Sequence, residues 1–213
     1  MKMIARDLGV RIGPRTIFED VNLNVPPGTM VALTGPSGCG KTTLLNCLGL
    51  IQRPTTGSVL ADGIETNDWR DNQRTTFWRN HAAFIYQDYG VIEDQTVHYN
   101  VTLTKRQSKE TRNRIEEILS RVGLARRGNE LAAVLSGGEK QRLGVARAIY
   151  KKATVIFADE PTASLDSDNQ ELVTKLLRSC VDNGASVVIA THDSHLASAC
   201  DTRFVMDEAT NRH

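Results

Sequence analysis

Thr29-Met-Val-Ala-Leu-Thr-Gly35-Pro-Ser-Gly-Cys-Gly-Lys41-Thr-Thr43 decides the fold. Its first six residues form a short, mostly apolar run that reads as a buried strand. Gly35 to Thr42 matches G-x-x-x-x-G-K-[ST], and from Lys41 to Leu50 the leucines Leu44, Leu45 and Leu48 recur at helical spacing. Strand, glycine-rich turn and helix in that order make a phosphate cradle. Glycines let backbone N–H groups wrap an anion with no Cβ in the way. The helix aims its positive end at the same point. Gly35, Pro36, Ser37, Gly38, Cys39, Gly40, Lys41, Thr42 and Thr43 are therefore the candidate nucleotide-binding residues. Lys41 can reach β- and γ-phosphates, and Thr42 can offer its hydroxyl to Mg²⁺. The plain alternative is a glycine-rich strand–helix turn with no ligand.

Outward from this stretch, apolar strand-like and helix-like segments alternate, which predicts an α/β fold. Val155 to Ala158 and Ser186 to Ala190 read as further buried strands; Ser58 to Ala61, Ala82 to Tyr86 and Thr202 to Met206 read as others. Arg112 to Val122, Arg142 to Tyr150 and Gln170 to Val181 carry helical spacing. Asn100 to Arg114 is polar and reads as a partly exposed helical insertion or a mobile loop, and Arg126 to Asn129 is a second polar patch. The chain has 213 residues, with Lys plus Arg 26 and Asp plus Glu 25, a net charge of +1. Such a balance argues against nucleic-acid binding by bulk charge and against a polybasic membrane anchor. No apolar run approaches the ~20 residues that span a bilayer. Met1 to Val10 lacks the apolar stretch of a secretory signal. The four cysteines, Cys39, Cys47, Cys180 and Cys200, form no Cys-x-x-Cys pair and suit a reducing, cytosolic setting.

Thr154-Val-Ile-Phe-Ala-Asp159-Glu160 ends a strand on two acids. Asp159 can hold Mg²⁺ or its water, and Glu160 can act as general base for an attacking water. A helix N-cap explains such an acid equally well, and a nucleotide kinase would share both the cradle and the acids. Leu135-Ser-Gly-Gly-Glu-Lys-Gln141 precedes the Arg142 helix. It reads either as a second anion-binding helix start or as an ordinary capping box, Ser136 with Glu139 three residues on.

Taken together, these elements resemble the ATP-binding cassette ATPases, the nucleotide-binding subunits of ABC transporters. Leu135 to Gln141 looks like their signature sequence; Gln87 matches the glutamine of the Q-loop, Ala163-Ser-Leu-Asp166 the D-loop and His192 the switch histidine. The resemblance covers nearly the whole chain. It implies a P-loop cassette: a mostly parallel core sheet, an antiparallel β subdomain and a small inserted helical subdomain. It implies a core of residues 1–88 and 136–213, and a helical part at about 89–135. It also implies that Glu160, His192, Lys41 and Gln87 act in catalysis, and that Thr42, Gln87 and Asp159 hold the metal. The implied cofactors are ATP and Mg²⁺. Two copies would pair head to tail, with Ser136, Gly137 and Gly138 covering the nucleotide on the partner's cradle and Asp166 on the seam. The expected role is to power export of a peptide or bacteriocin, a lipoprotein or a drug-like molecule through a separate permease, at the inner face of the cell membrane. The subgroup is similar to the macrolide-export and lipoprotein-release cassettes, with Gly90 to Val97 resembling the bacteriocin-export branch. The alternative is a non-transporting cassette that mechanically regulates a membrane partner.

Three positions depart from the family pattern or stand out within it. Ile12 falls where the family stacks adenine on an aromatic ring; Tyr99 stands where relatives often carry an acid; Cys39 lies inside the cradle, so alkylating it is expected to block nucleotide. His81, His98, His195 and His213 read as surface or structural, and Trp69 and Trp78 as packing. An aromatic ring on a base contributes about 1–3 kcal/mol in other nucleotide sites. An aliphatic Ile12 therefore predicts loose discrimination between ATP and GTP, measured by comparing hydrolysis of the two; a strong ATP preference abolished by Ile12→Ala alone would contradict it.

Overall fold

The computed structural model describes residues 1–206; His213 lies outside them. The chain opens with a hairpin, β1 (Met3–Ile12) and β2 (Arg15–Val25). β3 (Met30–Thr34) then enters the glycine-rich turn and leads into α1 (Lys41–Leu48). β4 (Thr56–Ala61) and β5 (Ile64–Glu65) return to the hairpin, giving an antiparallel sheet in the order β2-β1-β4-β5. α2 (Asp71–Asn80) and β6 (Ala82–Ile85) follow, then α3 (Val97–Thr102), α4 (Lys109–Arg121) and a 3₁₀ turn over Ala132–Val134. The last part is α5 (Gly137–Lys151), β7 (Val155–Asp159), α6 (Ser167–Asp182), β8 (Ser186–Ala190), α7 (Ser194–Ser198) and β9 (Thr202–Val205). The second sheet is wholly parallel, in the order β6-β7-β8-β3-β9.

The parallel sheet is covered on both faces, which is why its strands read as continuous apolar runs. Alternate residues part to opposite sides. Val155, Phe157, Val188, Val31 and Leu33 join one core, with Leu44 and Leu48 of α1 and with Met3, Phe18 and Val25 of the antiparallel sheet. Ile156, Ala158, Val187 and Ile189 join the other, with Ile115 and Leu119 of α4, Leu143 and Val145 of α5, and Val173 and Leu177 of α6. Each fully buried leucine contributes about 1.5–3 kcal/mol.

The expected strands and helices are present, with ends shifted by a few residues. Three elements escape the apolar-pattern reading. In the β1–β2 hairpin the register slips at several points, so the alternation is broken. The polar helix α2 buries only Phe77, with Trp69 and Trp78 packed beside the core. The short helix α3 buries polar residues. The stretch from Asn100 to Arg114 is largely exposed and enters α4, as a partly exposed helical insertion would, but its first residue is not part of that surface: Asn100 is 0% exposed. Its Oδ1 accepts from the Ile92 N–H at 2.8 Å, and its Nδ2 donates to the Ile92 and Thr96 carbonyls at 2.9 and 3.1 Å. Arg147 of α5 donates Nε to the Asn100 carbonyl and a second nitrogen to the Gly90 carbonyl, at 3.0 and 2.9 Å. His98, also buried, pairs with Glu116 at 2.6 Å and ties α3 to α4. Polarity in this stretch thus serves backbone groups that water does not reach.

Asn100→Ala removes the acceptor of the part-buried Ile92 N–H, while the Ile92 carbonyl keeps the Gln95 N–H at 3.1 Å. It should cost about 1–2 kcal/mol, the range of one lost hydrogen bond with one group left unpaired, and urea unfolding would read the loss.

Candidate active site

Parallel strands with matched registers bring their carboxyl ends to one edge. Leu33 of β3 and Asp159 of β7 both stand opposite Ala190 of β8. The segments leaving those ends carry Gly35 to Thr43, Glu160 and Thr191-His192. Gly40 precedes α1 with φ 101°, and a Cβ there would sit 2.9 Å from Ile17 Cγ2. Both the angle and the close approach demand glycine. Gly40 caps α1 without a side-chain hydrogen bond, and the first turn holds no acid. The helix's initial N–H donors are thereby left to a ligand. Lys41 is buried, and its Nζ donates to the Gly35 and Pro36 carbonyls at 2.9 Å each.

Thr42 Oγ1 donates to Asp159 Oδ1 at 3.1 Å, joining the cradle to the end of β7. Burial pushes the Asp159 carboxyl above its usual range, partly offset by that hydrogen bond. Asp159 and Gln87 line one open cleft with Tyr86, Asp88 and Ser164. Glu160 has φ 44°, an uncommon angle for a side-chain-bearing residue. Its N–H donates to the Ala190 carbonyl at 2.8 Å, and its carboxylate turns toward the end of β8. Oε2 accepts from Thr191 Oγ1 at 3.1 Å; Oε1 accepts from the His192 N–H at 3.1 Å and lies 2.8 Å from His192 Nδ1. A carboxylate only accepts, so the ring proton is assigned to Nδ1, which leaves Nε2 of a neutral ring as an acceptor.

Ser136 caps α5 in a full capping box: its Oγ accepts from the Glu139 N–H at 3.3 Å, and its own N–H donates to Glu139 Oε2 at 2.8 Å. Ser136 is exposed. Among the described residues, no hydrogen bond joins Ser136–Gly138 to Gly35–Thr43. Asp166 caps α6, and hydrogen bonds from Asn169 hold its carboxyl below the usual range. The loop after Gln87 leans on α5: a Cβ on Gly137 would meet the Tyr89 hydroxyl, and Lys140 donates to Glu93.

The structure therefore gathers Lys41, Thr42, Asp159, Glu160, His192 and Gln87 at one edge, and holds Ser136–Gly138 and Asp166 apart from the cradle's hydrogen bonds. Ile12 is 58% exposed on the hairpin, opposite Arg15. Cys39 is 3% exposed: its side chain packs in the core around α1, with its Sγ beside Gly35 of the cradle, and its N–H donates to the Pro36 carbonyl at 3.3 Å. A separate cavity of about 440 Å³, lined by Ile118, Ile149, Ile156 and Cys180 among others, contains none of these groups. Sequence reasoning passed over Thr191 and Asn169. The first had a signal, since it follows a buried strand directly before His192.

Residues 18–163 match the family model described as ABC transporter. The macrolide export ATP-binding/permease protein MacB of Shewanella sp. (strain ANA-3) is 39% identical over 190 residues, 87% of this chain and 29% of that protein. An uncharacterized ABC transporter ATP-binding protein of Methanocaldococcus jannaschii is 38% identical over 183 residues, 84% of this chain and 82% of that protein. This chain thus spans less than a third of the MacB protein's length. Among solved structures, a dimeric ATP-binding cassette in a post-hydrolysis state bound to ADP and Pi superposes with a TM-score of 0.89 at 32% identity, covering 99% of this chain and 97% of that one.

Thr191→Val keeps the shape of a buried side chain but removes a donor to Glu160. Nucleotide affinity should stay within about twofold while turnover falls about tenfold, a loss of ~1.4 kcal/mol; equilibrium binding and steady-state hydrolysis would measure the split.

Proposed function

This chain belongs to the ABC transporter family and is one of its ATP-hydrolysing cassettes, and we propose that it powers a separate membrane permease as a head-to-tail homodimer. One observation carries the dimer reading. Ser136 is capped and exposed at a helix start, with Gly137 half-buried and Gly138 buried behind it, yet among the described residues this turn makes no hydrogen bond to the cradle of its own chain. A helix N-terminus carries about half a positive charge. The triphosphate of ATP can hold two of them, α1 of one copy and α5 of the other. Hydrolysis divides that shared ligand and releases the pair, which converts chemistry into motion.

Within each site, Lys41 trades its loop carbonyls for phosphate oxygens and Thr43 extends the cradle into α1. Thr42, Asp159 and Gln87 offer the hard oxygen ligands that suit Mg²⁺. Thr42 and Asp159 are already within hydrogen-bond distance, and no cluster of three or more metal-ligating acids, histidines or cysteines occurs among the described residues. That donor set fits an ion that takes its remaining ligands from phosphate and water. Bound there, Mg²⁺ would neutralise charge on the β- and γ-phosphates. Glu160 accepts the proton of the attacking water, and His192, held by Nδ1 against Glu160, presents Nε2 as an acceptor to that water. Asp166 stands on the seam between copies. Ile12 covers the base without a ring. Residues 89–135 act as the helical subdomain that carries motion from Gln87 to α5.

No helix among the described residues is long and apolar enough to cross a membrane. The permease would supply the path, placing this cassette at the inner membrane face. The relatives named for macrolide export favour an exported drug-like cargo, and the Gly90 to Val97 stretch favours a peptide; a lipoprotein is the third class the same machinery would serve. A regulator that moves a membrane partner without transport uses the same residues; co-purification from native membranes separates the two by naming the partner.

Glu160→Gln should bind Mg-ATP, sediment as a dimer and hydrolyse very slowly, whereas Lys41→Ala should lose nucleotide. Wild-type turnover by Glu160→Gln would refute the base assignment, and a nucleotide-saturated variant that stays monomeric would refute the dimer.

A further inference from the structure

Asn169 is the third residue of α6, and its side chain touches two elements that the proposed dimer uses. Its Nδ2 donates to Oδ1 and Oδ2 of Asp166 at 2.9 and 3.0 Å, and its backbone N–H donates to the same Oδ1 at 2.8 Å. Its Oδ1 accepts from Arg142 of α5, whose Nε donates to the Val122 carbonyl at 2.9 Å, just beyond α4. On its other side the amide lies against Gly138. A Cβ on Gly138 would fall 2.7 Å from Asn169 Cγ and Oδ1, so this glycine is what lets the two helix starts close on each other. An amide alone meets all these demands. Aspartate cannot donate and would repel Asp166; leucine fills the same volume with no hydrogen bonds.

We propose that Asn169 is a positioning residue that fastens Asp166 to the Ser136–Gly138 turn, so that both meet the second copy's nucleotide as one rigid surface. The inference rests on the head-to-tail dimer proposed above. Neither hydrogen-bonded arm of Asn169 reaches Gly35–Thr43. Its loss should therefore spare nucleotide binding in the chain's own cradle and weaken only what the chain offers to its partner. A purely structural role would lower both, together with thermal stability.

The test places Asn169→Leu and Asn169→Asp in the Glu160→Gln chain. Mg-ATP affinity of the dilute monomer is read by a fluorescent ATP analogue, the dimer dissociation constant by sedimentation, and folding by thermal melting. Both variants should bind nucleotide within about twofold of the parent and dimerise about tenfold or more weakly, roughly one decade in dissociation constant. In the chain with Glu160 intact, Asn169→Leu should lower kcat and leave monomer affinity unchanged. If Asn169→Leu fails to fold, Asn169→Asp, which keeps the acceptor for Arg142, decides. An unchanged dimer constant, or equal losses in monomer affinity and dimerisation, overturns the proposal while leaving the dimer intact. A parent Glu160→Gln chain that never dimerises overturns both readings.

Discussion

The hydrogen-bonded register of β3, β8 and β7 is the constraint on which the rest depends. Because Leu33 and Asp159 both stand opposite Ala190, three strands end at one level. The cradle, the two acids and the Thr191-His192 turn therefore leave the sheet side by side. A slip of one residue would turn Asp159 to the other face of its strand and separate it from Thr42. Covered on both faces by apolar packing, the sheet has little freedom to slip. Chemistry that needs a cation, a hydroxyl, a metal-binding acid and a base within one small volume is thus set by backbone pairing before any side chain is chosen.

Polar groups in the interior do a second job. The loop after Gln87 has few apolar anchors, yet Asn100 and Arg147 hold its backbone against α3 and α5. Burial draws the Arg147 guanidinium pKa downward; its Nε and Nη1 meet carbonyls, while its Nη2 is buried without a hydrogen-bond partner among the described residues. Such hydrogen bonds are directional and leave one arrangement where apolar contacts would allow several. A loop joined on one side to the Asp159 cleft and on the other to α5 can pass a displacement between them. Glu160 adds a comparable device: its left-handed backbone aims the carboxylate at Thr191 and His192 rather than along the strand. Strain of this kind persists only where surrounding structure overdetermines it.

Some of this was legible in the sequence. Strand-turn-helix order around Gly35–Thr42 identified the cradle, because few backbones place glycines and a lysine that way. Apolar runs at Val155–Ala158 and Ser186–Ala190 identified central strands, and the acids at the end of the first followed, whereas His192 was singled out only by the family resemblance. Helix α2, with one buried residue, and the slipping β1–β2 hairpin left no clean period to read. The partners of Asn100 and His98 left no mark in the sequence, since pattern reasoning scores a residue's own chemistry and is blind to the carbonyls and carboxylates that other segments bring to it. Cys39 stands in the motif, and only the fold shows that its side chain packs into the core around α1 beside Gly35.

What the sequence determined by itself was the local chemistry: which residue types occur, at which spacing, on which kind of element. Those depend on short-range geometry that a few neighbouring residues fix. Tertiary structure alone decided which of them meet. Thr42 with Asp159, Glu160 with His192, and Asn169 with Gly138 are separated by anything from about thirty residues to more than a hundred. Only the folded sheet and its packed helices set the distances at which those hydrogen bonds and close approaches form.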